Sequence, residues 1–168
     1  MGNIENLSFK EATAKIKEIA DAADICMFTT ALTQLPLNSR PMSTQKADDE
    51  GNLWFFSEKE SDKNQHIESD NRVQLFYANK SNYEFLSVYG TAEISTDKEK
   101  IEELWTPMVK TWFQEGKDDP SITVIKVVPH DAYYWDTKHN KLVSLIKIIA
   151  SVATGKTMDD GVEGKLNV

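Results

Sequence analysis

Two cations and a hydroxyl stand near one another along the chain with aromatic residues between them: Arg40, then Trp54-Phe55-Phe56-Ser57, then Ser61-Asp62-Lys63. Arg40 opens the segment Arg40-Pro41-Met42-Ser43, and an Asp-Glu-Gly-Asn turn separates it from the aromatic run. A guanidinium grips phosphate through paired hydrogen bonds, an ammonium adds a compact charge, and the amides at a helix start favour anions. Arg40 and Lys63, with Ser61, could together hold a monophosphate. A strand, a hairpin, an aromatic strand and a polar helix start in this order suit a flat aromatic ligand with an anionic tail, which points to a cofactor. The competing reading pairs Arg40 and Lys63 with surface carboxylates and puts Trp54, Phe55 and Phe56 in the core. Composition leaves both open.

The elements that must position these residues follow from local pattern. Ser8-Phe9-Lys10-Glu11 is a capping-box signature, so a helix begins there and runs to near Asp24, with Phe9, Ala12, Ile16, Ile19 and Ala23 on its buried face. Ile25 to Ala31 and Leu35 to Lys46 predict the first two strands. The turn Asp48 to Asn52 leads into a third, Leu53 to Ser57, and the three read as an antiparallel meander. A short helix near Lys63 to Ser69 precedes two further strands, Val73 to Asn79 and Tyr83 to Ile94. Thr96-Asp97-Lys98-Glu99 repeats the capping-box logic. Ile101, Leu104, Trp105, Met108 and Trp112 then form the buried stripe of a helix bent at Pro107, whereas Phe113 falls off that stripe and is free to project onto a ligand.

Ile122 to Val128 is a long strand that continues through Tyr133-Tyr134-Trp135. Leu142 to Val152 reads as a docked surface helix stopping at Gly155, far short of the ~20 residues that cross a bilayer. Thr157 to Val168 reads as a mobile polar tail. The fold class is mainly β with peripheral helices. One domain is expected over residues 1–168, with its core at about 8–137 and a C-terminal helix and tail at about 141–168.

Charge and composition exclude several functions. A net charge of -8 argues against nucleic acid and anionic membrane as partners, because binding to either depends on clustered Lys and Arg. His66, His130 and His139 lack metal-ligand spacing, and a single cysteine excludes a cysteine-rich zinc site, so no metal is expected. Cys26, in an apolar run without a basic neighbour, reads as a buried inert thiol. Glycine-rich phosphate loops are absent. The charged opening of the chain is unlike a signal segment, which favours the cytoplasm. Met1-Gly2 matches the start of a myristoylation signal, but Glu5-Asn6-Leu7 lacks the downstream context.

Several motifs then recur in order: Arg40-Pro41-Met42; Trp54-Phe55-Phe56-Ser57 with Ser61 and Lys63; Tyr89-Gly90-Thr91-Ala92; Trp105-x-Pro107; Trp112-Phe113-x-x-Gly116-x-Asp118-Asp119-Pro120; and Tyr134-Trp135-Asp136. Jointly they resemble the general stress protein branch of the pyridoxamine-phosphate oxidase-like flavoproteins, over the span from the first helix to Asp136. The resemblance implies an FMN-binding split β-barrel and a homodimer with FMN at the subunit interface. It implies that Arg40 and Lys63, helped by Ser61, contact the phosphate. Pro41, Met42 and Ser43 would run along the isoalloxazine, Phe56 and Ser57 would border it, and Trp112 and Phe113 would cover it. The chain departs from the true oxidases at Asp62, where they carry an arginine, and at Phe85, where they carry a glutamine, which argues against oxidation of pyridoxamine phosphate. An FMN-dependent oxidoreductase acting on a small molecule is one expectation. A flavin-binding or flavin-buffering protein without turnover is the other, and a split-barrel dimer that binds haem or no cofactor is a third. No residue is singled out as a catalytic acid or base.

Overall fold

The structure, a computed structural model, describes residues 3–137 and 161–168. After a two-residue strand β1 (Asn3–Ile4), helix α1 (Phe9–Ala23) starts at Ser8. The Glu11 carboxylate accepts from the Ser8 backbone N–H at 3.1 Å, as the capping box requires, and also from the Ser8 hydroxyl at 2.6 Å. Ala12, Ile16, Ile19 and Ala20 are buried. Phe9, expected on that face, is exposed, because packing begins only one turn further on, at Ala12.

Eight further strands follow: β2 (Ile25–Thr30), β3 (Asn38–Ser43), β4 (Lys46–Ala47), β5 (Leu53–Glu58), β6 (Arg72–Asn79), β7 (Glu84–Ser95), β8 (Ile122–Thr137) and β9 (Gly161–Leu166). Helix α2 (Asp62–Ser69) lies between β5 and β6, and α3 (Lys98–Leu104) follows β7. The strand order is β1-β9-β8-β7-β6-β2-β3, with β5 pairing both β4 and β8. The expected meander of the first three strands forms only in part: Lys46, at the end of the expected second strand, pairs antiparallel with Trp54 of β5, but β5 runs mostly along another strand. β2 and β3 pair as expected, whereas all six residues of β5 pair with β8, Phe55 opposite Ile125. Local alternation marks strands without naming their partners. The strand expected from Leu35 begins only at Asn38, and Leu35 is exposed.

The length of β8 lets it pair with β5, β7 and β9. A register shift at Tyr89/Gly90 bends the β7–β8 ladder, and glycine is required there because a Cβ would lie 2.2 Å from the Val128 carbonyl oxygen. The main core sits between α1 and the inner faces of the strands, with Phe28 and Phe55 edge to face at 5.1 Å. A second apolar cluster joins Ile101, Leu104, Val109, Phe113, Ile122 and Val124, with Trp54, Phe56 and Trp105 packed against it.

Three expectations about the second half of the chain are corrected. α3 is capped by Asp97, not Thr96, through a 3.0 Å bond from the Glu99 N–H, and it ends at Leu104 instead of bending at Pro107. Proline lacks the amide donor and disfavours helical backbone before it, so the chain restarts as a short 3-10 turn, Val109–Thr111. The tail expected to be mobile contains β9, which pairs antiparallel with β8 and parallel with β1, burying Val162 and Leu166. The helix expected over Leu142 to Val152, with its stop at Gly155, lies outside the described residues. Among the described residues no helix is long and apolar enough to cross a membrane.

Candidate functional site

A cavity of about 340 Å³ opens where β3, β5, the start of α2 and the turn after α3 converge. Arg40, Pro41, Met42 and Ser43 form one wall, Phe56 and Ser57 another, and Lys63, Trp112 and Phe113 complete it. Every residue expected from the sequence is thus brought to one place except Ser61. That residue is the N-cap of α2, and its hydroxyl lies 3.2 Å from that of Ser57.

Pairing decides which way the side chains point. Arg40 sits opposite Phe28 in the β2–β3 ladder, and its Nη1 donates to the Phe28 carbonyl at 3.2 Å and to the Thr30 hydroxyl at 2.8 Å. Lys63 is carried by the first turn of α2, and a buried polar network holds that turn in place. The Ser57 hydroxyl donates to Asn64 Oδ1 at 2.7 Å, Asn64 Nδ2 donates to Thr123 Oγ1 at 3.0 Å, and the Thr123 hydroxyl donates to the Ser57 carbonyl at 3.0 Å. These groups are buried and hydrogen-bonded, which makes the junction of α2 with β5 and β8 specific in register.

Neither Arg40 nor Lys63 makes an ion pair with any described residue, whereas Lys15, Lys17, Lys46, Arg72, Lys100, Lys117 and Lys165 do, and the other described lysines without one are exposed except Lys126, which lies over the Trp54 ring. Desolvation lowers the Lys63 pKa first, the neighbouring Arg40 charge lowers it further, and Glu58 and Asp62 oppose this. Desolvation likewise lowers the Arg40 pKa, opposed by Asp62. The pairing of these cations with surface carboxylates, left open by the sequence, is not what the fold does.

The aromatic residues divide otherwise than expected. Phe113, placed off the buried stripe, is 6% exposed and packs in the second cluster, its ring 6.3 Å from that of Phe56. Trp112, placed on that stripe, is 66% exposed at the cavity rim, and Met108 is exposed as well. Both corrections follow from the end of α3 at Leu104, since helical spacing counted across Pro107 no longer reports facing. Phe56 also meets Trp105 edge to face at 6.1 Å.

Sequence reasoning missed Gln45, Glu58 and Val109, which also line the cavity. Glu58 directly follows Ser57 and Gln45 stands two residues after Ser43, and that nearness was the available signal. Phe85 lies elsewhere, in an apolar groove of about 510 Å³ with Met27, Phe76 and Trp135. Cys26 is buried beside Tyr77, and burial pushes its thiol up to about 12, which suits an inert role. Glu18, Glu84 and Asp136 approach within 4.8 Å of one another, but Lys15 bridges Glu18 and Asp136 at 2.7 and 3.0 Å. His66 and His130 hydrogen-bond to Thr30 and Thr91.

Comparison with known proteins gives consistent results. A sequence profile of the family described as pyridoxamine 5'-phosphate oxidase like matches residues 11–159. Protein bli-3 of Neurospora crassa is 30% identical over 129 residues, which is 71% of this chain and 62% of that protein, so the match spans less than two thirds of that relative. General stress protein 26 of Bacillus subtilis is 26% identical over 100 residues, 55% of this chain and 68% of that protein. Among solved structures, a candidate general stress protein 26 from Jannaschia sp. CCS1 superposes with a TM-score of 0.80 at 22% identity, covering 96% of this chain and all of that one. The general stress FMN/FAD binding protein of Xanthomonas citri superposes with a TM-score of 0.67 at 25% identity, covering 78% of this chain and 92% of that one. The described strands are therefore those of a split β-barrel, and the chain belongs to the pyridoxamine 5'-phosphate oxidase-like family.

Proposed function

We propose that the cavity binds FMN and that the protein is an oxidoreductase acting on a small molecule. The observation that carries this reading is the pair of desolvated cations, Arg40 and Lys63, kept free of described carboxylates at a cavity walled by Phe56 and Phe113. A phosphate monoester needs such charges, and a flat ring needs such walls. The residues present fit the group. Its volume of about 340 Å³ falls within the ~300–1,000 Å³ of small-molecule sites. Arg40 and Lys63 would hold the phosphate, the backbone of Pro41 to Ser43 would follow the ring, and Trp112 would close the open side. When bound, the flavin supplies the hydride and electron chemistry, so the protein needs only to orient it and exclude water. The flavin-binding likeness of the Xanthomonas citri protein supports the same reading.

Purified protein that is yellow, and that binds FMN far more tightly than riboflavin, is the expected result. Lys63→Ala should weaken FMN by roughly tenfold to a hundredfold, the size of one charge-assisted hydrogen bond, and leave riboflavin nearly unchanged. Equal loss for both ligands would overturn the phosphate assignment. Turnover is tested separately by reduction with NADH or NADPH and reoxidation by candidate acceptors. A protein that binds FMN but supports neither is a flavin-buffering protein instead.

The same reading includes a homodimer. Met27, Phe76, Phe85 and Trp135 are each two-fifths exposed or more on one sheet face, joined by the pairs Met27–Phe76 and Phe85–Trp135. Met27 also pairs with Pro41 of the cavity wall, so a second copy covering this face would reach the site. Such a patch on a soluble protein marks an interface. Light scattering at micromolar protein should give twice the chain mass, and Phe76→Glu should give the monomer. A wild-type monomer in the presence of FMN would exclude the dimer.

A further inference from the structure

We infer that Thr30 and His66 are positioning residues for Arg40, fixing how tightly the site holds a phosphate monoester. This rests on the flavin reading above. A guanidinium can only donate, so the Thr30 oxygen accepts from Arg40 Nη1 at 2.8 Å. The one Thr30 hydroxyl proton is then left over, and His66 Nδ1 lies 3.0 Å from that oxygen. Thr30 donates to Nδ1 when the imidazole is neutral and protonated on Nε2, the tautomer that leaves the buried hydroxyl proton with a partner. Thr30 is fully buried, so no water can replace the histidine as acceptor. Without Nδ1 the hydroxyl must turn to find another partner, and its lone pair leaves the guanidinium.

Arg40 spends Nη1 on Phe28 and Thr30 and keeps Nη2 and Nε for a ligand. His66 belongs to α2, the helix that carries Lys63. The chain Arg40–Thr30–His66 thus ties a cation on β3 to the helix bearing the other cation, and it sets their separation. Two cations a fixed distance apart grip a phosphate better than two that drift, because positioning is done before the ligand arrives.

FMN and riboflavin titrations followed by flavin fluorescence test this. Thr30→Val keeps the shape and removes the hydroxyl, while Thr30→Ser keeps the hydroxyl. His66→Leu removes the acceptor, while His66→Asn places an oxygen near the Nδ1 position. Thr30→Val and His66→Leu should each lower the preference for FMN over riboflavin by about fivefold to thirtyfold, with riboflavin affinity unchanged. Thr30→Ser and His66→Asn should restore the wild-type preference, which a purely structural role would not produce.

If His66→Leu and His66→Asn behave alike, or if both deletions keep the wild-type preference while Arg40→Ala loses it, the positioning role is overturned and the flavin reading stands. Should Thr30→Val melt early and lose both ligands, the His66 pair decides alone, since that side chain is only partly buried. A wild type that does not prefer FMN overturns the phosphate assignment and this inference together.

Discussion

Phe113 and Trp112 are neighbours in sequence, yet replacing Phe113 by alanine should lower the stability of the ligand-free protein substantially and replacing Trp112 should leave it nearly unchanged. Phe113 is 6% exposed and packs against Phe56, Ile101, Leu104, Val109, Ile122 and Val124. Phe→Ala in a core costs ~3–5 kcal/mol, and a site able to collapse falls at the low end. One side of this ring faces the cavity, so about 3 kcal/mol is expected. For a chain of this size, that corresponds to a melting temperature lower by about 6–12 °C. Trp112 is 66% exposed, and surface substitutions stay within about 0.5 kcal/mol, or roughly 2 °C. Both residues line the cavity, so both variants should bind FMN more weakly. Melting of the ligand-free variants beside FMN titration separates the two contributions. If Trp112→Ala melts as early as Phe113→Ala, the break in helical register at Pro107 is wrong.

Two further outcomes follow from the geometry. The Lys63 pKa is lowered by desolvation and by Arg40, so its charged form costs stability at every pH below its folded pKa, and this cost fades as pH rises towards the ordinary value of 10.5. Ligand-free Lys63→Met should therefore melt above wild type at pH 7 and approach it near pH 10.5, and a variant that melts lower at pH 7 contradicts the desolvation. Gly164→Ala would put a Cβ 2.0 Å from the Glu5 carbonyl oxygen, parting β1 from β9. It should cost ~1–3 kcal/mol and speed amide exchange at Glu5 and Leu7, whose N–H groups now bond to Glu163 and Lys165; unchanged exchange there would refute that pairing.

The strands and α1 were legible because their residues alternate or recur at helical spacing over long stretches, as Val73-Gln74-Leu75-Phe76-Tyr77 and Ala12 to Ala20 do. Their partners were not legible. Nothing in Leu53 to Glu58 announces that β5 will pair with β8 across the barrel, because strand pairing at that separation depends on the whole core. β9 was missed for a different reason. Val162, Gly164 and Leu166 do alternate, but two glycines and a lysine keep the segment polar, and it is ordered only by lying between β8 and β1. The α3 stripe failed because proline resets the phase, so Trp112 and Phe113 exchanged places. The site residues survived these errors. Arg40, Phe56 and Lys63 belong to three elements that were each read correctly in outline, and the hairpin between β4 and β5 fixes how closely β5 and α2 return towards β3.

Charge placement separates the site from the rest of the surface in a way the sequence cannot express. Exposed lysines such as Lys10, Lys59, Lys80, Lys98 and Lys110 are solvated and Lys126 lies over the Trp54 ring, but in a chain with 27 acidic and 19 basic residues many of the described cations pair with a carboxylate. Arg40 and Lys63 do not, because burial, the Phe28 and Thr30 contacts and the locked N-terminus of α2 hold them apart from Glu58 and Asp62, which act on them only through space. Keeping like charges near one another in a desolvated wall destabilises the ligand-free fold, and no packing gain explains it. An entering phosphate breaks no ion pair and meets charges already in place, so most of the charge–charge energy is realised in binding. The same reasoning gives Asp62 a direction: its carboxylate stabilises both cations in the free protein and repels the phosphate, so Asp62→Asn should tighten FMN while lowering the melting temperature of the ligand-free protein. Isothermal titration and melting of that one variant test both signs, and tighter binding without loss of ligand-free stability would show that Asp62 does not act on the cations at all.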